Sequence, residues 1–212
     1  FQGRNSNMHD LPVSLRLRLH ADQEQASYTV ESGELGLGRL QLSMSGKLKK
    51  ETKGWQTDLR LSSKQAALKE YLSLLPATVD KQMEAYKVAG DLQVEADIKG
   101  FFSSTLTPLL KVNFVLEDGE WMHRKSNMKL QHIKMNGSFQ SRKSSSGKSF
   151  LDVPELQASF EGKPFHARFS VEDFNDPRLT LQAVADLDLA FLAGLLPPSS
   201  FAALEGQLKA DL

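Results

Sequence analysis

Side chains able to do acid–base or metal chemistry gather in two places in this 212-residue chain. Glu117, Asp118 and Glu120 form one carboxylate cluster, and Glu172, Asp173 and Asp176 form the other. Paired carboxylates serve glycoside hydrolysis and calcium coordination. Both clusters, however, flank glycine or proline in segments with turn chemistry, "EDGEW" (117–121) and "FNDPRL" (174–179). Asp186 and Asp188 alternate with leucines, which places them on the wet face of a strand. The histidines, His9, His20, His123, His132 and His166, show neither HxH nor HExxH spacing. "SSSGKSF" (144–150) contains the Gly-Lys-Ser of a phosphate-binding loop, but Arg142 stands where that loop requires its first glycine. "GLGRLQ" (36–41) opens like a dinucleotide fingerprint, then closes on Gln41 and runs into an alternating strand. Serines are abundant and none is paired in sequence with a base. The chain has no cysteine, which removes thiol catalysis, disulfides and cysteine zinc sites together. The residues therefore point away from an enzyme, a metal and a cofactor.

Composition narrows the partners. Lys+Arg and Asp+Glu number 26 each. A general polyanion binder carries a basic excess, so nucleic acid is not expected. The chain is 40% hydrophobic and 25% charged, a composition that buries a core. No run approaches the roughly 18 apolar residues of a membrane span, and no signal peptide is visible. "FQG" at the start resembles the scar of a cleavable tag, and residues 1–7 are read as a tag or linker remnant. The last residues, "EGQLKADL", stop inside an alternating run, so the expectation is a fragment of a longer protein.

Apolar surface is the remaining functional material, and the elements that present it have period two. "VSLRLRLH" puts Val13, Leu15, Leu17 and Leu19 on one face, and Leu40, Leu42, Met44 and Leu48 repeat the pattern. Leu92, Val94, Ala96 and Ile98 follow, then Leu110, Val112, Phe114 and Leu116, then Phe165, Ala167, Phe169 and Val171. Weaker strands are expected over 25–32, 54–62, 127–140 and 150–160. Between 127 and 140 the phase slips from Met128/Leu130 to Ile133/Met135, as a β-bulge requires. One-sided alternation of this kind belongs to antiparallel meanders. Helical spacing appears over 63–85, with Ser63 as cap and Ala66, Ala67, Leu68, Tyr71, Leu72 and Leu75 as a stripe ending at Pro76. It appears again over 190–196, where Phe191, Leu192, Leu195 and Leu196 precede Pro197.

The two helices expose an internal repeat. "RLQLSMSG" (39–46) resembles "ELQASFEG" (155–162). Each copy continues through a further strand, an L-x-L strand, a helix closing on "LLP", and a strand opened by Gly90 or Gly206. The chain accordingly divides into a first β-repeat over 8–100 and a second, truncated one over 101–212.

The repeat resembles the AsmA-like family of bacterial envelope proteins, which includes TamB. The similarity rests on "GDLQVEADIKG" and on "LQASFEGKPFHARFSVEDFNDPRLTLQAVADLDLAFLAGLLP…LEGQLKADL". Its frame is Gly162, Asp176, Pro177, Leu179, Leu181, Leu187, Leu192, Leu195, Leu196, Pro197, Gly206 and Leu208. The resemblance implies a periplasmic β-groove in a parent protein anchored in the inner membrane of a Gram-negative bacterium. It implies phospholipid transport toward the outer membrane, or envelope assembly with other envelope proteins, and brings no catalytic motif.

The expected fold is all-β: mainly an antiparallel meander, a curved open sheet or groove, with one or two short helices packed on the apolar face. The lipid-facing residues expected are Leu15, Leu17, Leu40, Leu42, Leu92, Val94, Val112, Phe114, Phe160, Phe165, Phe169 and Leu181. Leu72, Leu75, Leu192, Leu195 and Leu196 are expected to form a helix plug. The rival expectation is a periplasmic protein-interaction or structural β-domain with an ordinary closed core.

Overall fold

A computed structural model describes residues 12–72, 83–142, 147–160, 162–185 and 208–209. The alternating segments all become strands: β1 (Val13–Asp22), β2 (Ser27–Leu37), β3 (Leu40–Glu51), β4 (Gly54–Ser63), β5 (Ala66–Ala67), β6 (Tyr86–Phe102), β7 (Leu109–His123), β8 (Lys129–Gln140), β9 (Phe150–Phe160), β10 (Lys163–Glu172), β11 (Arg178–Ala185) and β12 (Leu208–Lys209). They form one open sheet in the order β1-β2-β3-β4-β6-β7-β8-β9-β10-β11-β12, with β5 paired to β6 off this path. Every neighbour pair from β1 to β11 is antiparallel, as one-sided alternation predicts, and β12 joins β11 in parallel. The boundary expected at 100/101 falls inside β6, and the sheet runs through it unbroken.

Three local expectations meet the structure differently. The phase slip of 127–140 is a true irregularity: the β8 register shifts between Gln131 and Lys134, and His132 has φ +52°. "EDGEW" is not a hairpin turn. It is a bulge within β7, where Asp118 takes φ +50° and the pairing shifts between Leu116 and Gly119. The extra residue keeps Leu116 and Trp121 on one face, so the strand continues to His123.

The helix expected over 63–85 starts later than its stripe. Ser63 ends β4 instead of capping a helix, because its hydroxyl oxygen accepts the Val94 N–H (2.9 Å) from across the sheet. Ala66 and Ala67 then pair with Leu92 and Asp91 as β5. Leu68–Leu72 is helical, and this is α1. Leu75 and the segment 190–196, with Leu192, Leu195 and Leu196, lie outside the described residues.

The main core cluster joins Leu92, Leu116, Leu130, Ile133, Phe160, Phe165 and Ala183, all from β6 to β11. Leu68 and Tyr71 of α1 pack against it. The Tyr71 hydroxyl reaches Ser63 Oγ and the Leu92 carbonyl oxygen (3.2 Å), which fixes the helix to the sheet. Burial holds the Tyr71 phenol above its ordinary pKa, and the Ser63 contact offsets part of that shift.

Candidate functional site

Side chains of directly paired residues point to the same side of a sheet. The register therefore traces the apolar face from strand to strand. Leu17 pairs with Gly33, Gly33 with Met44, Met44 with Leu61, Leu61 with Ala96, Ala96 with Val112 and Val112 with Phe139. Phe139 pairs with Leu151, Leu151 with Val171 and Val171 with Leu179. One apolar row thus crosses the sheet from β1 to β11. A parallel row joins Leu15, Leu35 and Leu42. Another joins Leu92, Leu116, Met135, Leu156, Ala167 and Ala183.

All twelve residues expected to line a groove lie on this face, at different depths. Leu40, Leu92, Phe160 and Phe165 are buried. Leu17, Leu42, Val94, Val112, Phe114, Phe169 and Leu181 are half-buried. Leu15 is 58% exposed and stands between Val13 and Leu19, also exposed, on the edge strand. Leu116, Leu130, Ile133 and Ala183, outside that set, are buried in the same face.

Close approach shapes the face at Gly137. It pairs with Phe114, and a Cβ there would collide with the Phe114 ring and come within 2.8 Å of the Asp152 carbonyl oxygen. The aromatic ring therefore lies over the glycine instead of standing off the sheet.

Leu72, expected in a plug, lines a cavity of about 820 Å³ together with Lys69, Met83, Lys87, Met122 and Lys129. Lys87, Met122 and Lys129 are register partners on the wet face. Tyr86 and Val88 of the apolar side line the same cavity, and Leu68 and Tyr71 pack on that side.

The polar clusters resolve into sheet and turn contacts. Glu120 pairs with Lys129 (3.5 Å), and His132 Nδ1 lies 3.8 Å from exposed Asp118. The Asp173 carboxylate takes a 2.8 Å contact from Lys148, which holds it below the usual carboxylate range, and accepts the Asn175 N–H. That pairing gives the Gly-Lys-Ser lysine a structural task, tying the β8–β9 connection to the β10–β11 turn. His123 shares a 2.8 Å hydrogen bond with Ser126 in the β7–β8 turn, and His20 and His166 face solvent. Among the described residues no three His, Asp or Glu side chains are placed to hold a metal ion. Among the same residues no helix is long and apolar enough to cross a membrane. Comparison with protein-family models, with curated proteins and with solved structures finds no match to this chain.

Proposed function

We propose that this chain is a non-enzymatic lipid-handling module, a stretch of periplasmic β-groove whose apolar face shields the acyl chains of a phospholipid or related lipid. The AsmA-like resemblance supports this reading and implies a parent protein held at the inner membrane and active in envelope assembly. The observation that carries the reading is the continuous apolar row from Leu17 to Leu179, which opens at the edge onto exposed Leu15. Each acyl CH₂ taken out of water is worth about 0.8 kcal/mol. A face many strands wide covers a chain along its length, while Arg, Lys, Asp and Glu on the opposite face keep the module in water.

Native mass spectrometry of the purified protein, with lipid extraction, tests this. The expected result is co-purifying phospholipid, displaceable by an apolar dye and reduced by Val112→Glu, which puts a charge in the middle of the half-buried row. If no lipid co-purifies and no dye binds, the apolar face is an ordinary core and the chain is a protein-interaction module.

A further inference from the structure

The register that traces the apolar face also shows how little charge that face carries. Among its register-paired residues the formal charges are two lysines, Lys50 and Lys163, and no acid. They stand at opposite ends of the strands, Lys50 beside the β3–β4 turn and Lys163 at the start of β10. Lys49, Lys87, Lys134 and Arg168 belong to the opposite face, where a lysine or arginine is ordinary wet surface. On a face of leucines the ammonium must stay in water or meet an anion.

The surroundings of Lys50 favour the anion. Lys50 pairs with Trp55, and Trp55 with Phe102. Leu48, two residues inward, pairs with Tyr28 on the other flank. Strand β3 lies between β2 and β4, yet the Tyr28 and Trp55 rings approach to 5.8 Å between centroids. The two rings therefore meet over β3, at the level of Leu48 and Lys50. Among the described residues Lys50 makes no ion pair, and the Tyr28 hydroxyl and the Trp55 indole N–H make no hydrogen bond. Neighbouring Glu51 belongs to the wet face and pairs with Lys49 (3.7 Å). Inward along the strands the face is hydrocarbon: Leu48, Leu59, Leu61 and Ile98 are all half-buried. Tyr and Trp suit such a boundary, since each has an apolar ring and a polar tip. The turn beyond is basic as well: "KLKKETKG" (47–54) holds four lysines and one glutamate in a chain that is neutral overall.

We infer that this end of the face holds the phosphate of a phospholipid. The inference rests on the groove reading above and adds to it a position and an orientation for the head. The phosphodiester sits beside the Lys50 ammonium, with the Tyr28 hydroxyl and the Trp55 indole N–H as further donors. The acyl chains run inward over Leu48, Leu59 and Ile98. Hydrogen bonds from a cation to an ionised oxygen are roughly twice as strong as neutral ones. A diacylglycerol covers the same hydrocarbon but leaves the ammonium without an anion. A fatty acid shares the chemistry of an anionic head on hydrocarbon. The phosphodiester is the better match, because donors from three neighbouring strands suit its four oxygens, and a carboxylate offers two.

The test follows displacement of a neutral apolar dye from the full 212-residue protein by dioctanoyl phosphatidylglycerol, by dioctanoylglycerol and by laurate. The phospholipid is expected to bind at least about tenfold more tightly than the diacylglycerol. Lys50→Glu, at an exposed position, is expected to remove that advantage and to leave diacylglycerol binding unchanged, while Lys50→Arg keeps it. Lys163→Glu, at the other end of the strands, is expected to change neither. Equal affinity for the two diacyl lipids, a Lys50→Glu effect shared by both, or an equal effect of Lys163→Glu overturns the head site. Laurate that binds more tightly than the phospholipid, and loses that binding in Lys50→Glu, overturns it in favour of a fatty acid. Diacylglycerol binding without a phospholipid advantage removes the head site and leaves the groove standing. Absence of dye binding and of any lipid binding removes both.

Discussion

The two wings of the sheet are written in the same alternating pattern and are buried differently. From β6 to β11 the apolar face contains Leu92, Leu116, Leu130, Ile133, Phe160, Phe165 and Ala183 in one buried cluster, with α1 resting on it. From β1 to β4 only Val30 and Leu40 are buried hydrophobics, and β1 leaves Val13, Leu15 and Leu19 in water. Alternation assigns a side chain to a face. Whether that face is covered depends on what stands on either side of the strand and above it. A central strand has neighbours on both flanks, and β6 also has α1. Among the described strands β1 pairs with β2 alone.

The largest expected consequence is a contrast between two leucines of the same pattern. Leu116→Ala should cost about 3 kcal/mol, because a 4% exposed side chain is lost from a packed cluster. Leu15→Ala should cost no more than about 0.5 kcal/mol. Equilibrium urea unfolding of both variants measures the difference. Equal costs would break the comparison, since they would mean that Leu15 is as well covered in solution as Leu116.

The same contrast explains what was legible beforehand. Strand identity, one-sidedness and the antiparallel meander follow from period two, and the β8 slip at Ile133 could be located from phase alone. The depth of each residue could not, because Leu15 and Leu92 look alike until β1 is seen to be an edge. "EDGEW" failed as a turn because Asp, Gly and Glu suit a bulge as well as a hairpin, and only the β8 partner residues distinguish them. The helical stripe failed at Ser63 and Ala66–Ala67 because a free stretch of β6 edge was available for pairing, and tertiary pairing overrides a short helical pattern. The twelve residues expected to line a groove share one face because a face is what alternation encodes.

Tyr71 offers a finer test of what covers the second wing. Tyr71→Phe keeps the ring on the cluster and removes the hydroxyl contacts to Ser63 and the Leu92 carbonyl. A loss of about 1 kcal/mol near neutral pH is expected. The phenol's pKa is raised in the folded state. Its stability contribution is therefore fully present below the unfolded value of about 10 and fades as pH rises through the folded value. The gap between wild type and Tyr71→Phe should narrow above about pH 10. Unfolding curves at neutral and alkaline pH check both statements. A gap that widens with pH would mean that the folded state favours the phenolate and that the hydroxyl is not held in the contacts described.

The smallest effect probes the seam where the wings meet. β4 and β6 are joined by their ladder and by two facing ion pairs, Arg60–Asp97 and Asp58–Lys99. Both pairs are solvent-facing. The hydrogen bond that Arg60 donates to the Asp97 carboxylate raises its guanidinium above the ordinary pKa, yet an exposed ion pair contributes little to global stability. Asp97→Asn should lower Tm by no more than about 2 °C, and salt near 1 M should erase the difference. Its value lies in where the loss is felt. If the wings are separate cooperative units, hydrogen exchange should accelerate across β1–β4 while Leu92, Leu116 and Leu130 keep their protection. A uniform acceleration from β1 to β11 would make the sheet one unit. The uneven burial of its face would then be a difference in cover, without a difference in local stability.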